Sequence, residues 1–255
     1  MIKFSYSKEL NKAIIFYKKN GFCVLKDIFD SKELDFFFKK VEQIVNEQNL
    51  NNNYKIKGNY EKKIIELSKK NDLYRKYLYE ALQDLPVVKK YGLNKKIYNI
   101  AKKLKIKIPI LRTSQIRMDM PKDERFLIPP HQEVKGIRSP NMIFFITALK
   151  KITNDMGSLA LSPGSFNLGA IQPKVSKNVK YQYIQSSQYH NYPLINFALN
   201  KGETILLNMH TIHGSRKNIS NHIRWSSIVR IEDALTMKHL INLDDSLIKR
   251  FDLKG

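Results

Sequence analysis

Apolar side chains in residues 8 to 20, KELNKAIIFYKKN, recur at helical spacing, and Gly21 follows where a glycine ends a helix. The pattern predicts a first helix there and a strand in FCVLKD directly after it. From Asp30, DSKELDFFFKKVEQIVNEQ sets Leu34, Phe37, Phe38, Val41 and Ile44 on one stripe of 3.6-residue period. Asp30 or Ser31 stands ready as the N-cap, which predicts a second helix. NLNNNYKIKGNY is Asn-rich and aperiodic, hence a loop, and helical stretches resume at about 61 to 83 and 93 to 104.

Beyond Ile106 the period shortens. ILRTSQIRMDM, NMIFFITALK, SLALS, ETILLNMHTIH and IRWSSIVRIE read as strands punctuated by Pro, Gly and Asn/Asp. Helices followed by a train of strands predict an α+β, mainly β architecture within a single domain, 1–255. A mainly helical N-terminal layer (1–105) packs on a β-sandwich or barrel core (106–235), with a C-terminal extension (236–255). The aromatic, irregular stretch 174 to 197 is either a lid over a pocket or a surface insertion.

Composition removes several classes. With 42% hydrophobic and 11% aromatic residues the chain has enough apolar material for a substantial core, which excludes a mainly disordered protein. No apolar run approaches the roughly 20 residues a spanning helix needs, so no membrane insertion is expected. The N-terminal stretch carries charges throughout and has no secretory pattern. The single cysteine, Cys23 in GFCVL, excludes an internal disulfide and reads as a buried inert thiol in a reducing, cytoplasmic setting.

The net charge of +22 invites a nucleic-acid partner, but the lysines are spread along the whole chain and not gathered in one arm. Solvated faces are the stronger account, an acidic small substrate the next, and nucleic acid the weakest.

Candidate chemistry begins with FLIPPHQEVKGIRSP at 126 to 140. With six His and 23 acidic residues in 255 positions, chance alone supplies about half a His-x-carboxylate pair, so His131-Gln132-Glu133 is weak by itself. A second histidine strengthens it. After the turn Lys201-Gly202-Glu203, an apolar strand leads to His213-Gly214-Ser215, and Arg224 follows 11 residues later. Two histidines and one carboxylate presented from separate strands form a facial triad that leaves positions open on Fe(II). His210 competes with His213 for the distal position, whereas His190, His222 and His239 read as solvated or structural.

FYKKNGFCVLKDIFDSKELDFFFKKVEQI, HQE, MGSLALSPGSF and HGSRKNIS…R agree in order and spacing with the phytanoyl-CoA dioxygenase family of Fe(II)/2-oxoglutarate oxygenases, which the chain resembles over most of its length. The resemblance implies a double-stranded β-helix (jelly-roll, cupin-like) core with N-terminal helices. It also implies a metal held by His131, Glu133 and His213, with 2-oxoglutarate and O2 as cosubstrates. Arg224 would grip the far carboxylate of 2-oxoglutarate, since a guanidinium offers a planar two-point hold. Ser215 and Ser226 would add hydroxyl contacts, and Gln115 would touch the C1 end.

In TSQIRMDM, Arg117 would face a small, anionic substrate, with an ion pair to Asp119 or Glu124 as the equal alternative. Two departures stand out: Glu133 replaces the family's usual Asp, and Phe166 replaces the histidine of PGSH. A carboxylate at the ligand position argues against the halogenases, which leave it empty. The implied reaction is hydroxylation of an unactivated C–H bond, with 2-oxoglutarate decarboxylated to succinate and CO2. Desaturation, cyclisation or epimerisation on the same scaffold, or a non-catalytic basic nucleic-acid-binding or regulatory module, are the alternatives.

Overall fold

The computed structural model describes residues 2–51, 55–134, 138–176 and 179–237. Most of the C-terminal extension, with His239, falls outside them. A short strand β1 (Phe4–Ser5) leads into helix α1 (Tyr6–Asn20) and strand β2 (Phe22–Lys26). Gly21 ends α1 in the left-handed conformation (φ 78°) with its N–H on the Tyr17 carbonyl, as the periodicity predicts. In helix α2 (Ser31–Asn51) the cap is Asp30, whose Oδ1 accepts from the Lys32 N–H at 2.8 Å.

The helical stretch expected at 61 to 83 is two helices, α3 (Tyr60–Lys70) and α4 (Asp72–Gln83). Asn71 causes the break: its backbone is extended, and its side chain accepts from the Leu73 N–H at 2.9 Å, capping the second helix. A short helix α5 (Pro86–Gly92), begun by proline at its first turn, precedes α6 (Lys95–Lys103).

The strand train forms β3 (Pro109–Asp119), β4 (Met142–Ala148), β5 (Leu159–Leu161), β6 (Lys174–Ser176), β7 (Val179–Tyr183), β8 (Ile195–Phe197), β9 (Thr204–Asn208), β10 (His213–Ser215) and β11 (Arg224–Asp233). The run expected from Glu203 to His213 is split between β9 and β10. Asn208 turns the chain, accepting from the His210 N–H on its side chain and from the Thr211 N–H on its carbonyl. One sheet has the order β1-β2-β9-β4-β11-β3, antiparallel except at the β1–β2 edge, and a second has the antiparallel order β10-β5-β8.

Alternation along β11 sorts its residues. Trp225, Val229 and Ile231 face the helices and share one core cluster with Phe37, Val41, Val88 and Ile100. Arg224, Ser226, Ile228 and Arg230 face the other way, toward a cavity. Polar residues on that inner face are costly unless they are paired or functional.

Two small motifs of the middle segment anchor the second sheet. Ser165, in the PGSF turn, donates to the Ser162 carbonyl and accepts from the Ile212 N–H at 2.8 Å, which ties that turn to the residue before His213. Gly157 has φ +75°, and a Cβ there would run into the Arg216 carbonyl. Gly157→Ala is therefore expected to destabilise the protein by about 1–3 kcal/mol from backbone strain, with the clash in addition. Chemical denaturation checks this, and an unchanged midpoint would mean that the backbone is not held as described.

Candidate metal centre

His131 lies in a loop, yet its backbone is locked to β10. The His131 N–H donates to the His213 carbonyl at 2.8 Å and the His213 N–H returns to the His131 carbonyl at 3.0 Å. Two residues on, the Glu133 N–H donates to the Met209 carbonyl at 2.9 Å. Gln132 points the opposite way: its amide donates to the Gly169 and His210 carbonyls and accepts from the Ile171 N–H. Extended alternation thus puts His131 and Glu133 on one side and spends Gln132 as a tether.

The result is one compact donor set. Ligand atoms of His131, Glu133 and His213 all lie within 4.8 Å of one another. Glu133 Oε1 is 3.6 Å from His131 Nε2 and 3.5 Å from His213 Nε2. Each imidazole commits its Nδ1 as donor to a carbonyl two residues back, Pro129 at 2.8 Å and Thr211 at 2.9 Å. On neutral rings the Nε2 lone pairs then face a carboxylate oxygen. Only a cation, a proton or a metal, makes that convergence favourable, and two imidazoles with one carboxylate suit a divalent first-row metal.

Electrostatics keep the set ready. Burial lowers the pKa of His213 and the neighbouring His131 lowers it further, so the neutral ring persists below the usual histidine range. Burial acts to raise the pKa of Glu133, but polar contact with both imidazoles and the charge of Arg230 outweigh it and hold the carboxyl well below the usual range. His210, the competitor for the distal position, is not part of the donor set. His190 hydrogen-bonds the Ser187 carbonyl, and His222 lies exposed beside Glu61.

The donor set lines a cavity of about 110 Å³ together with Gln115, Arg117, Ser215, Arg224 and Ser226. These eight candidates from the sequence therefore line one cavity, and His210 does not. Arg224 is buried, and it is already paired: its Nη2 and Nε lie 2.9 and 3.1 Å from Asp119 Oδ2. Asp119 also takes Arg117 Nη2 at 2.6 Å, so the ion pair expected as one alternative for Arg117 exists, to Asp119 and not Glu124, which pairs with Lys217. The two arginines push the pKa of Asp119 down to about 2 against the opposing effect of its burial.

Arg117, Gln115 and Ile128 also line a second cavity, of about 510 Å³, whose walls include Arg75, Lys76, Tyr79, Arg125, Phe126 and Tyr181. Tyr181 comes from the 174–197 stretch, which thus borders this vestibule. Phe166 packs its ring against Gly21, where a Cβ would sit 2.6 Å away, an apolar contact in place of a polar one.

Arg230 escaped the sequence reading. It grips Glu133 with Nε to Oε2 and Nη2 to Oε1, both at 3.1 Å. Its signal was present: counting by twos from Arg224 reaches Ser226, Ile228 and Arg230 on one face. The bridging of Arg224 by Asp119 was likewise missed, because the pairing of β3 with β11 is not readable from either strand alone.

A family model described as phytanoyl-CoA dioxygenase (PhyH) matches residues 17–226. No curated protein matches the sequence. Among solved structures, the chain is similar to the epimerase SnoN in complex with Fe3+, alpha ketoglutarate and nogalamycin RO, at 14% identity and TM-score 0.59, covering 89% of this chain and 85% of that one. It is similar to the alpha ketoglutarate dependent carbocyclase SnoK from nogalamycin biosynthesis, at 17% identity and TM-score 0.57, covering 92% and 88%. AviO1 from Streptomyces viridochromogenes Tue57 is similar at 12% identity and TM-score 0.58, covering 89% and 96%. At such identities the likeness is one of fold.

Proposed function

This chain belongs to the phytanoyl-CoA dioxygenase family, and from that premise we propose that it is a non-haem Fe(II)/2-oxoglutarate-dependent dioxygenase that hydroxylates a small anionic metabolite. One observation carries the reading: His131, Glu133 and His213 converge on the wall of a cavity that Arg224 also lines. Those three residues would hold iron, which when bound supplies the oxidising chemistry driven by decarboxylation of 2-oxoglutarate. The two sheets that flank the cavity are read as a double-stranded β-helix.

The chain's own residues do the rest. Arg224, fixed in orientation by Asp119, binds the far carboxylate of 2-oxoglutarate, with hydroxyl contacts from Ser226 and Ser215 and an amide contact from Gln115 at the C1 end. Ile146, Ile152, Leu199 and Ile228 line the same cavity and restrict water around the reacting carbon. Arg117, shared between the inner cavity and the vestibule, binds the substrate.

Charge supports an anionic substrate. Arg117, Arg224 and Arg230 against Asp119 and Glu133 leave 3 − 2 = +1 around the inner cavity. Fe(II) and doubly ionised 2-oxoglutarate cancel one another, so the excess remains for a carboxylate or phosphate on the substrate. Epimerisation or ring closure is the second reading, favoured by likeness to SnoN and SnoK; product mass separates them, since hydroxylation adds one oxygen. No helix among the described residues is long and apolar enough to cross a membrane, and the buried free Cys23 supports a reducing cytoplasmic location.

The test is anaerobic. Fe(II) and then 2-oxoglutarate are added to metal-free protein and the visible spectrum is recorded, expecting a weak charge-transfer band that needs both additions and disappears in His131→Ala. Arg224→Ala should raise the 2-oxoglutarate concentration required by roughly 10-fold or more, the worth of a charge-assisted hydrogen-bond pair. No band, with no 2-oxoglutarate binding by calorimetry, would overturn the reading.

A further inference from the structure

Arg230 has no part in binding iron or 2-oxoglutarate as proposed above, yet its guanidinium holds both oxygens of the Glu133 carboxylate. Nε lies on Oε2 and Nη2 on Oε1 at 3.1 Å each, and Nη2 is also 3.0 Å from Oε2. Beneath it lies the Phe144 ring, 4.6 Å from the guanidinium carbon. The β11–β4 pairing is regular and sets Arg230 beside Phe144, so the alternation of β11 itself turns Arg230 to the cavity, and the register shift against β3 falls on Arg112 of β3.

Two independent features, the fork and the aromatic bed, therefore converge on holding one carboxylate. That carboxylate needs holding. A glutamate has one more rotatable bond than an aspartate, and ordering such a side chain costs up to about 2 kcal/mol. Left free, it could also offer both oxygens to one cation. With each oxygen occupied by an N–H of the fork, the orientation is set by the guanidinium plane, and Oε1 is the atom turned to both imidazoles.

We propose that Arg230 is a positioning residue of the metal centre, which fixes Glu133 as a one-oxygen donor and so preserves a coordination position for the cosubstrate. The inference rests on the metal-centre reading of the preceding subsection. A purely structural Arg230 would neutralise Glu133 and affect folding alone. A positioning Arg230 changes the geometry of the bound metal and the room left for a chelating ligand.

The experiment uses Co(II) as a spectroscopic probe in the full-length metal-free protein, followed by 2-oxoglutarate titration without O2. Arg230→Lys keeps a positive charge and loses the fork; Arg230→Met loses both. Each is expected to alter the Co(II) d–d spectrum and to weaken 2-oxoglutarate binding to the Co(II) protein by about 10–100-fold, the usual effect of losing a partner of a metal ligand. In a Glu133→Asp background the carboxylate is withdrawn by one methylene, and the same replacements should change binding by less than about 3-fold, a non-additivity that marks direct coupling.

Should Arg230→Met fail to fold, Arg230→Lys carries the test. Unchanged Co(II) spectrum and 2-oxoglutarate affinity, or equal losses in both backgrounds, would overturn the positioning role. Co(II) binding that survives His131→Ala unchanged would instead overturn the metal centre itself, so the two failures are distinct.

Discussion

His213→Ala is expected to lower divalent-metal affinity by more than 100-fold and to abolish substrate-dependent succinate formation. Partners that merely orient a metal ligand are typically worth about 10–100-fold, so the ligand itself is worth more. His213 is the best-held of the three donors. It is buried, hydrogen-bonded through Nδ1 to the Thr211 carbonyl, paired through its backbone with His131, and its ring lies 5.7 Å from that of Phe144. Truncation leaves Glu133 beside a single imidazole. Calorimetry with Co(II) reads the binding loss, and a melting curve of the metal-free variant separates it from misfolding. Retained turnover in both His213→Ala and His131→Ala would sink the triad.

The second large effect is on stability. Asp119 is the only carboxylate within hydrogen-bonding distance of both Arg117 and Arg224 among the described residues, and it lies on the β3–β11 ladder directly opposite Arg224. Asp119→Ala leaves two largely buried guanidiniums facing each other. Breaking such a pair by removing one partner costs about 3–5 kcal/mol, which for a chain of this size lowers Tm by roughly 10 °C.

The pKa of Asp119 gives an independent check, with its sign. The folded value is about 2, against about 3.9 for an unfolded aspartate. A depressed pKa contributes stability that is fully present above about pH 4 and is lost as pH falls from about 4 toward 2, by roughly 2–3 kcal/mol. That acid-dependent step should be absent from Asp119→Asn. Binding of 2-oxoglutarate should weaken less in Asp119→Ala than in Arg224→Ala, because the freed Arg224 loses its fixed orientation but keeps its charge. A wild-type Tm and acid profile in Asp119→Ala would mean that the two arginines are not bridged.

How much was legible in the sequence follows the range of the forces involved. Gly21 ends α1, Asp30 caps α2 and β11 alternates, because each depends on a few neighbouring residues. The same locality makes Asn71 readable in principle, since an Asn-Asp step within a helical pattern is a cap signal. The short α5 was unreadable for a different reason: seven residues are too few for a stable isolated helix, and packing against β3 and β11 holds it there.

By itself the sequence determined which chemistry was available. It held two histidines, a carboxylate and an arginine at spacings that agree with one family, and a period-two pattern along residues 224 to 230. Only the tertiary structure decided how those groups meet: His131 against His213 through a two-bond bridge, Asp119 between two arginines, and Arg230 against Glu133. Side-chain periodicity says which face of a strand a residue occupies. Which residue it confronts depends on register between strands far apart in the chain, and that is set by the whole ladder of long-range hydrogen bonds and by the core packed behind it.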